Sequence, residues 1–283
     1  MAEAGVPAGC SIFLLRPVQG DSGWKVVFAL GFDHTPLQPV SLQGNGHGNL
    51  PAPAAFQDNG GCVAAELRAK FSSLEALTRS VALHQQTDGH WIGWAPRPPL
   101  ESGDIQATAL SIRTLQMYPG EARRAEYADR IAKAAEWLES AVPGTEHERV
   151  YQLLGLTWAG TSKPAVQRVA AQVLAAQRPD GGWAQLRTLD SDAYATGQAL
   201  FALKQAGALS GASPLYQRGV RFLLATQFED GSWHVKTRAF PFQPLVDTKF
   251  PHGRDQWISA TATSWAAMAL AWSHVPVEEA RLR

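Results

Sequence analysis

Residues 175–207 read AAQRPDGGWAQLRTLDSDAYATGQALFALKQAG, and this stretch decides the fold. Gln177 closes an apolar helical run. Pro179, Asp180, Gly181 and Gly182 cannot continue it, because proline lacks an N–H donor and glycine favours positive φ. Trp183 then offers a large apolar face beside the turn. Thr188, Asp190 and Ser191 are good N-cap residues. Beyond them Tyr194, Leu200, Phe201 and Leu203 open a new helical stripe. The unit is helix, Gln-x-x-Asp-Gly-x-Trp turn, helix.

The same heptad stands at Gln85 to Trp91 and at Gln227 to Trp233, besides Gln177 to Trp183. The spacing fits units of roughly 46 to 50 residues with one turn degenerate, a period that signals a repeat architecture. Helical stripes fill the intervals. Residues 64–86 carry Leu67, Phe71, Leu74, Leu77 and Val81, and a helix starting at Ser102-Gly103-Asp104 runs through Met117. Residues 122–141 and 146–159 follow, broken by Pro143-Gly144-Thr145, and the degenerate turn belongs to this pair. Residues 163–177 and 190–206 form a third pair. Residues 214–227, a proline-containing insert over 233–253, and residues 255–274 complete a fourth. The expectation is an all-α domain over residues 64–275, an incomplete α/α toroid of four hairpins, followed by a short tail at 276–283.

Residues 1–63 differ in kind. Scattered Gly and Pro mark loops, notably over 44–56, and the segment reads as irregular, although the apolar runs at 11–15 and 24–32 fit short strands. The N-terminus lacks the basic region and long apolar run of a signal peptide, which leaves the cytoplasm as the default compartment.

Composition narrows the function classes. The chain has 283 residues, 45% hydrophobic and 18% charged, with formal net charge zero, so the basic footprint of a nucleic-acid binder is missing. No apolar run of about 18 residues exists to span a membrane. Cys10 and Cys62 are the only cysteines, which excludes a disulfide framework and a four-cysteine zinc site.

The three heptads resemble the QW repeats of the squalene–hopene and oxidosqualene cyclases, whose toroids are related to protein prenyltransferase β subunits. The resemblance covers roughly residues 80–274. Pro98-Pro99-Leu100-Glu101-Ser102-Gly103-Asp104, Gln152-Leu153-Leu154-Gly155-Leu156, Ser191 through Leu200, and Phe250-Pro251-His252-Gly253-Arg254-Asp255-Gln256 carry it further, towards short bacterial squalene-cyclase-like proteins. It implies that the Gln and Trp of each heptad (Gln85 and Trp91, Gln177 and Trp183, Gln227 and Trp233) stack and tie outer helices together. It also implies that the second helix of each pair lines a cavity, with the inner-helix N-termini gathered at one mouth. Those N-termini carry Asp104, Glu146, Glu148, Asp190, Asp192 and Asp255.

In that family the middle Asp of an Asp-x-Asp-Asp motif protonates an alkene or epoxide. Asp190-Ser191-Asp192-Ala193 resembles the motif with its last Asp replaced. The resemblance implies Asp192 as proton donor, Asp190 as its partner, and cyclisation of a polyprenyl or triterpene substrate without a cofactor. The competing reading is a non-catalytic toroid that binds an apolar ligand, such as an isoprenoid, or a protein partner, in which these carboxylates are helix caps, an interaction that lowers a carboxyl pKa. Asp104 and Asp255 are expected as caps or cavity-mouth contacts, and Arg254 as a partner of a mouth carboxylate. Trp158, Tyr194, Phe201, Trp257, Trp265 and Trp272 are the aromatic candidates for a substrate wall or for core.

Other chemistries find less support. Gly60-Gly61-Cys62-Val63 resembles the start of a c-type haem attachment, but Ala64-Ala65-Glu66 follows, so no haem is expected. No cysteine follows Cys62, so the Asp, Cys and His zinc set of the prenyltransferases is missing, and the histidines show no paired metal spacing. His147 and His252 are expected as surface residues. A carbohydrate-active toroid would oppose two carboxylates, with Glu148 and Asp192 the formal pair. Four hairpins leave apolar end faces, so self-association or association with a further repeat domain is expected.

Overall fold

The structure, a computed structural model, describes residues 12–17, 24–30, 74–93, 97–101, 103–240 and 245–273. The chain divides into two compact units, Met1–Ala69 and Lys70–Arg283. In the first, strands β1 (Ile12–Pro17) and β2 (Trp24–Leu30) form an antiparallel hairpin with a register shift between Leu14 and Leu15. They fall on the two apolar runs of this region. Cys10, Cys62, the Gly-Gly-Cys-Val sequence, the first part of the helix expected over 64–86, and His274 lie outside the described residues.

The second unit is helical. A helical segment, α1, covers residues 74–83. It is followed by α2 (Asp104–Met117), α3 (Arg124–Ser140), α4 (Glu146–Trp158), α5 (Lys163–Ala175), α6 (Ala193–Gln205), α7 (Pro214–Ala225) and α8 (Gln256–Ala271). Helices α2, α4, α6 and α8 lie side by side in one row. Helix α3 packs on α2 and α4, α5 on α4 and α6, and α7 on α6 and α8. Two layers of alternating helices are the α/α-toroid arrangement expected from the repeat.

The inner row packs closely because small residues line its seams. A Cβ added to Gly197 on α6 would come within 2.6 Å of the Ala266 nitrogen on α8. One added to Gly155 on α4 would meet Leu138 of α3 at 2.5 Å and Ala109 of α2 at 3.0 Å. Leu153, Leu154 and Leu156 of α4 and Leu200 and Leu203 of α6 are fully buried between the layers. Ten of the 13 residues of α6 are buried, so this helix is the centre of the array.

The three heptads share one hydrogen-bond plan. The tryptophan main-chain N–H donates to a threonine hydroxyl on the next inner helix: Trp91 to Thr108 at 3.0 Å, Trp183 to Thr196 at 2.9 Å, Trp233 to Thr263 at 3.1 Å. The indole N–H donates backwards to a carbonyl of the preceding outer helix, on Val81, Val173 and Leu223 respectively. The glutamine amide donates to the glycine carbonyl of its own turn, on Gly89, Gly181 and Gly231. All three glycines have positive φ, at 104°, 90° and 82°. Thus the tie between outer helices is built from hydrogen bonds. Gln85 reaches the Arg130 carbonyl on α3 at 2.8 Å, and Gln177 reaches the Leu215 carbonyl on α7 at 2.9 Å.

Candidate functional site

The loops that end at the inner helices converge around Asp192. This residue, in extended conformation at φ −140° and ψ 165°, is the N-cap of α6. Its Oδ1 accepts the Ala195 N–H at 2.8 Å, and its Oδ2 accepts the Gln185 side-chain amide at 2.8 Å. Gln185 is buried and joins three elements. Its Oε1 accepts Arg238 Nε at 2.9 Å, and its carbonyl accepts the His147 main-chain N–H at 3.4 Å. The start of α4, the start of α6 and the segment before α8 therefore meet on one glutamine.

Burial pushes the Asp192 carboxyl up to about 6. The Ala195 N–H, the Gln185 amide and the Arg238 charge pull the other way and do not overcome it. Capping alone predicts a lowered value, so the expectation is corrected: desolvation wins. Desolvation also lowers Arg238, while Asp192 holds its charge in place.

Below Asp192 the inner row carries buried aromatic and amide groups. His147 lies edge-on to Tyr151 at 4.9 Å and stacks on Tyr194 at 5.8 Å. The Gln198 amide donates to the Tyr194 hydroxyl at 3.4 Å. Burial raises Tyr151 to about 12 and Tyr194 well above its ordinary value, so both remain neutral phenols. His147 is 2% exposed, which corrects its expected surface position. Burial, with Arg238 adding repulsion, lowers its pKa to about 3, and the ring is neutral. The Gln198 side chain beside the ring pulls the other way and does not overcome burial. A cavity of about 10 Å³ lined by His147, Gln198, Trp183 and Ala195 adjoins the ring, about the room that one water centre needs.

The remaining sequence candidates scatter around this centre. Asp190 is exposed and caps nothing; the cap of α6 is Asp192. Asp104 and Asp255 are not side-chain caps either. Asp104 accepts the Gly93 N–H at 2.7 Å and faces His90 at 3.7 Å, while Asp255 accepts the Thr237 N–H at 2.8 Å and pairs with His234 at 2.7 Å. Each pins the loop before its helix, and the partner of Asp255 is His234. Glu148 forms a capping box with Thr145, its carboxylate accepting the N–H groups of Gly144 and Thr145. Phe201 stacks on Trp272 at 5.0 Å and meets Trp265 edge-on at 5.2 Å. Trp158 carries the Arg113 guanidinium over its ring at 5.5 Å, and the Trp257 indole donates to the Val246 carbonyl at 3.2 Å. His252 stacks on His234 at 5.0 Å, not on His147. Among the described residues no group of three His, Cys, Asp or Glu is placed to hold a metal ion. Nor, among them, is any helix long and apolar enough to cross a membrane.

Gln185, Arg238, His147, Tyr151 and Gln198 escape a motif search. One signal was available. His147 and Tyr151, like Tyr194 and Gln198, stand four residues apart and share a helix face. Gln185 and Arg238 sit in loops, where no periodicity announces them.

No family model matches the sequence, and the comparison with curated proteins found no match. Among solved structures, the chain is similar to the type II terpene cyclase MstE from Scytonema, with TM-score 0.40, 16% identity and 74% of each chain covered. A variant of that cyclase in complex with its substrate, geranylgeranyl dihydroxybenzoate, aligns with TM-score 0.38 and 14% identity over 75% of this chain and 76% of that one. Another, in complex with the product merosterolic acid A, gives 0.37 and 13% over 75% and 77%. These values carry no activity across to this chain.

Proposed function

We propose that the chain is a class II terpene cyclase-like protein in which Asp192 protonates a polyprenyl or triterpene alkene. The observation that carries this reading is the placement of Asp192. Its carboxyl is fixed between Gln185 and the α6 N-terminus, and burial holds it up at about 6, so the neutral acid is populated in mildly acidic to neutral solution. Proton transfer from the carboxyl O–H forms a C–H bond at the alkene. The π electrons of the next double bond close a ring, and loss of a proton from the final cation returns the count to zero. Tyr194, Phe201 and Trp265 are the aromatic faces assigned to the passing positive charge.

The test is anaerobic incubation with squalene, oxidosqualene and shorter polyprenyl substrates, analysed by gas chromatography–mass spectrometry. Wild type is expected to yield cyclic product and Asp192→Asn none. Asparagine caps as well as aspartate and has no charge to bury, so the variant should keep its circular dichroism spectrum and melt no lower than wild type near neutral pH. No product from any substrate with folded wild type sinks the proposal.

A second reading has its own support. Both Asp192 oxygens already accept hydrogen bonds, and the enclosed space beside them is about 10 Å³. A non-catalytic toroid that binds an apolar ligand needs no more of Asp192 than that. On this reading squalene quenches tryptophan fluorescence saturably, equally in wild type and Asp192→Asn, without turnover.

A further inference from the structure

A second cleft adjoins the loop that carries Gln185. It measures about 560 Å³ and is walled by the first turn of α4, the last turn of α5 and residues of the 176–192 loop. Three arginines line it, Arg149, Arg178 and Arg187, with a single carboxylate, Glu146. Glu146 is divided between two of them: Oε2 meets Arg149 Nε at 3.2 Å and Oε1 meets Arg187 Nε at 3.3 Å. The Arg149 and Glu146 side chains are 16% and 14% exposed, so this pair forms a fixed floor, while Arg187 is 83% exposed at the rim. Arg178 donates to the Arg187 carbonyl at 3.0 Å, a neutral acceptor. Three guanidinium groups against one carboxylate leave an excess of two positive charges in a chain whose overall balance is zero.

Guanidinium groups present paired N–H donors that match phosphate oxygens, and several facing one cleft bind a dianion better than a monoanion. The volume lies within the range of small-molecule sites. Ala175, Ala184 and Leu186 supply an apolar strip beside the arginines. We propose that this cleft binds a phosphate or diphosphate group, with Arg178 and Arg187 as the ligand-facing donors and Arg149 offsetting the charge of Glu146 on the floor. This site is independent of the Asp192 assignment.

The test is isothermal titration of the whole protein with inorganic phosphate, inorganic diphosphate and octyl phosphate at low ionic strength. Saturable binding is expected, with diphosphate tighter than phosphate. Neutralising the rim in Arg178→Gln/Arg187→Gln should weaken it by about tenfold or more, the worth of one charge-assisted hydrogen bond. The same charge change on exposed outer helices, Arg79→Gln/Arg221→Gln, should leave affinity unchanged. Octyl phosphate binding tighter than inorganic phosphate identifies an esterified ligand lying on the apolar strip; equal affinity identifies the free anion. Absence of saturable binding overturns the proposal. So does binding that survives rim neutralisation, or an equal loss in both double variants. Circular dichroism of each variant separates lost binding from lost fold.

Discussion

The second and third heptad turns, residues 177–183 and 227–233, have the same sequence plan and different surroundings. Each folds its glutamine onto its own glycine carbonyl and its indole N–H onto the preceding helix. At the second turn α7 closes over the result. Gln177 takes the Leu215 carbonyl and accepts Arg218 Nη2 at 2.7 Å, and a Cβ on Gly181 would strike the Arg218 carbonyl at 2.6 Å. The first turn repeats this with α3, where Gln85 accepts Arg130 and Gly89 abuts the Lys133 carbonyl. At the third turn a Cβ on Gly231 would meet only the Gln227 amide, at 3.9 Å, and Phe228 is 51% exposed. The difference teaches that the heptad specifies its own conformation. The following outer helix adds a clamp without shaping the turn.

The glycines offer the hardest way to break this comparison. Gly181→Ala incurs left-handed strain and also pushes α7, for about 3 kcal/mol. Gly231→Ala incurs the strain alone, about 1 kcal/mol. Urea unfolding of the two variants reads the difference, and equal costs would mean that α7 yields freely. The glutamines sharpen it. Gln177→Ala loses two donated bonds and one accepted from a guanidinium, about 2 kcal/mol, and exposed Gln227→Ala loses one, about 0.5 kcal/mol. A Gln227→Ala cost as large as that of Gln177→Ala would show that the turn, not the clamp, carries the energy.

A third contrast is a slope with pH, up to about 1.4 kcal/mol per unit for each group. Asp192 at the second turn is raised to about 6, so its folded form binds the extra proton between pH 6 and 3.8 and gains stability as pH falls through that window. His147 is lowered from 6.5 to about 3, so the unfolded chain binds the extra proton there and stability is lost over pH 6.5 to 3. The two slopes oppose each other. Asp192→Asn should therefore be more acid-labile than wild type between pH 6 and 4, and His147→Gln less so. At the third turn Asp255 is subject to burial, but His234 and the Thr237 N–H outweigh it and lower the carboxyl. Its stabilisation is present above the unfolded value of 3.8 and is lost as pH falls through the folded one. Asp255→Asn should thus leave the slope between pH 6 and 4 unchanged. Thermal melts across the range read all three variants.

The helices and turns were legible because apolar spacing and Pro-Asp-Gly chemistry act locally. Helix α2 begins at the predicted Asp104, and α4 at Glu146. Helix α6 starts at Ala193, a few residues beyond the expected 190, because Asp190, Ser191 and Asp192 are equally good caps in isolation. Only the Gln185 amide and the pairing of Asp192 with Trp183 select the last of them. The charge state of Asp192 was illegible for a related reason. Capping is written in the local sequence, whereas desolvation comes from the loops that the fold packs around the carboxyl. The Thr108, Thr196 and Thr263 partners of the turn tryptophans lie at unequal distances along the chain, so no fixed spacing reveals them.

The glutamine clamp has a mechanical corollary. Gln177 grips a carbonyl 38 residues ahead, and the Tyr216 hydroxyl grips the Ala269 carbonyl 53 residues ahead at 2.7 Å. Helix α7 is thus anchored by side chains on both flanks, independently of the peptide link that delivers it. A protease cut between α6 and α7 severs the string but not the fastening, and the two fragments should stay together as a noncovalent whole.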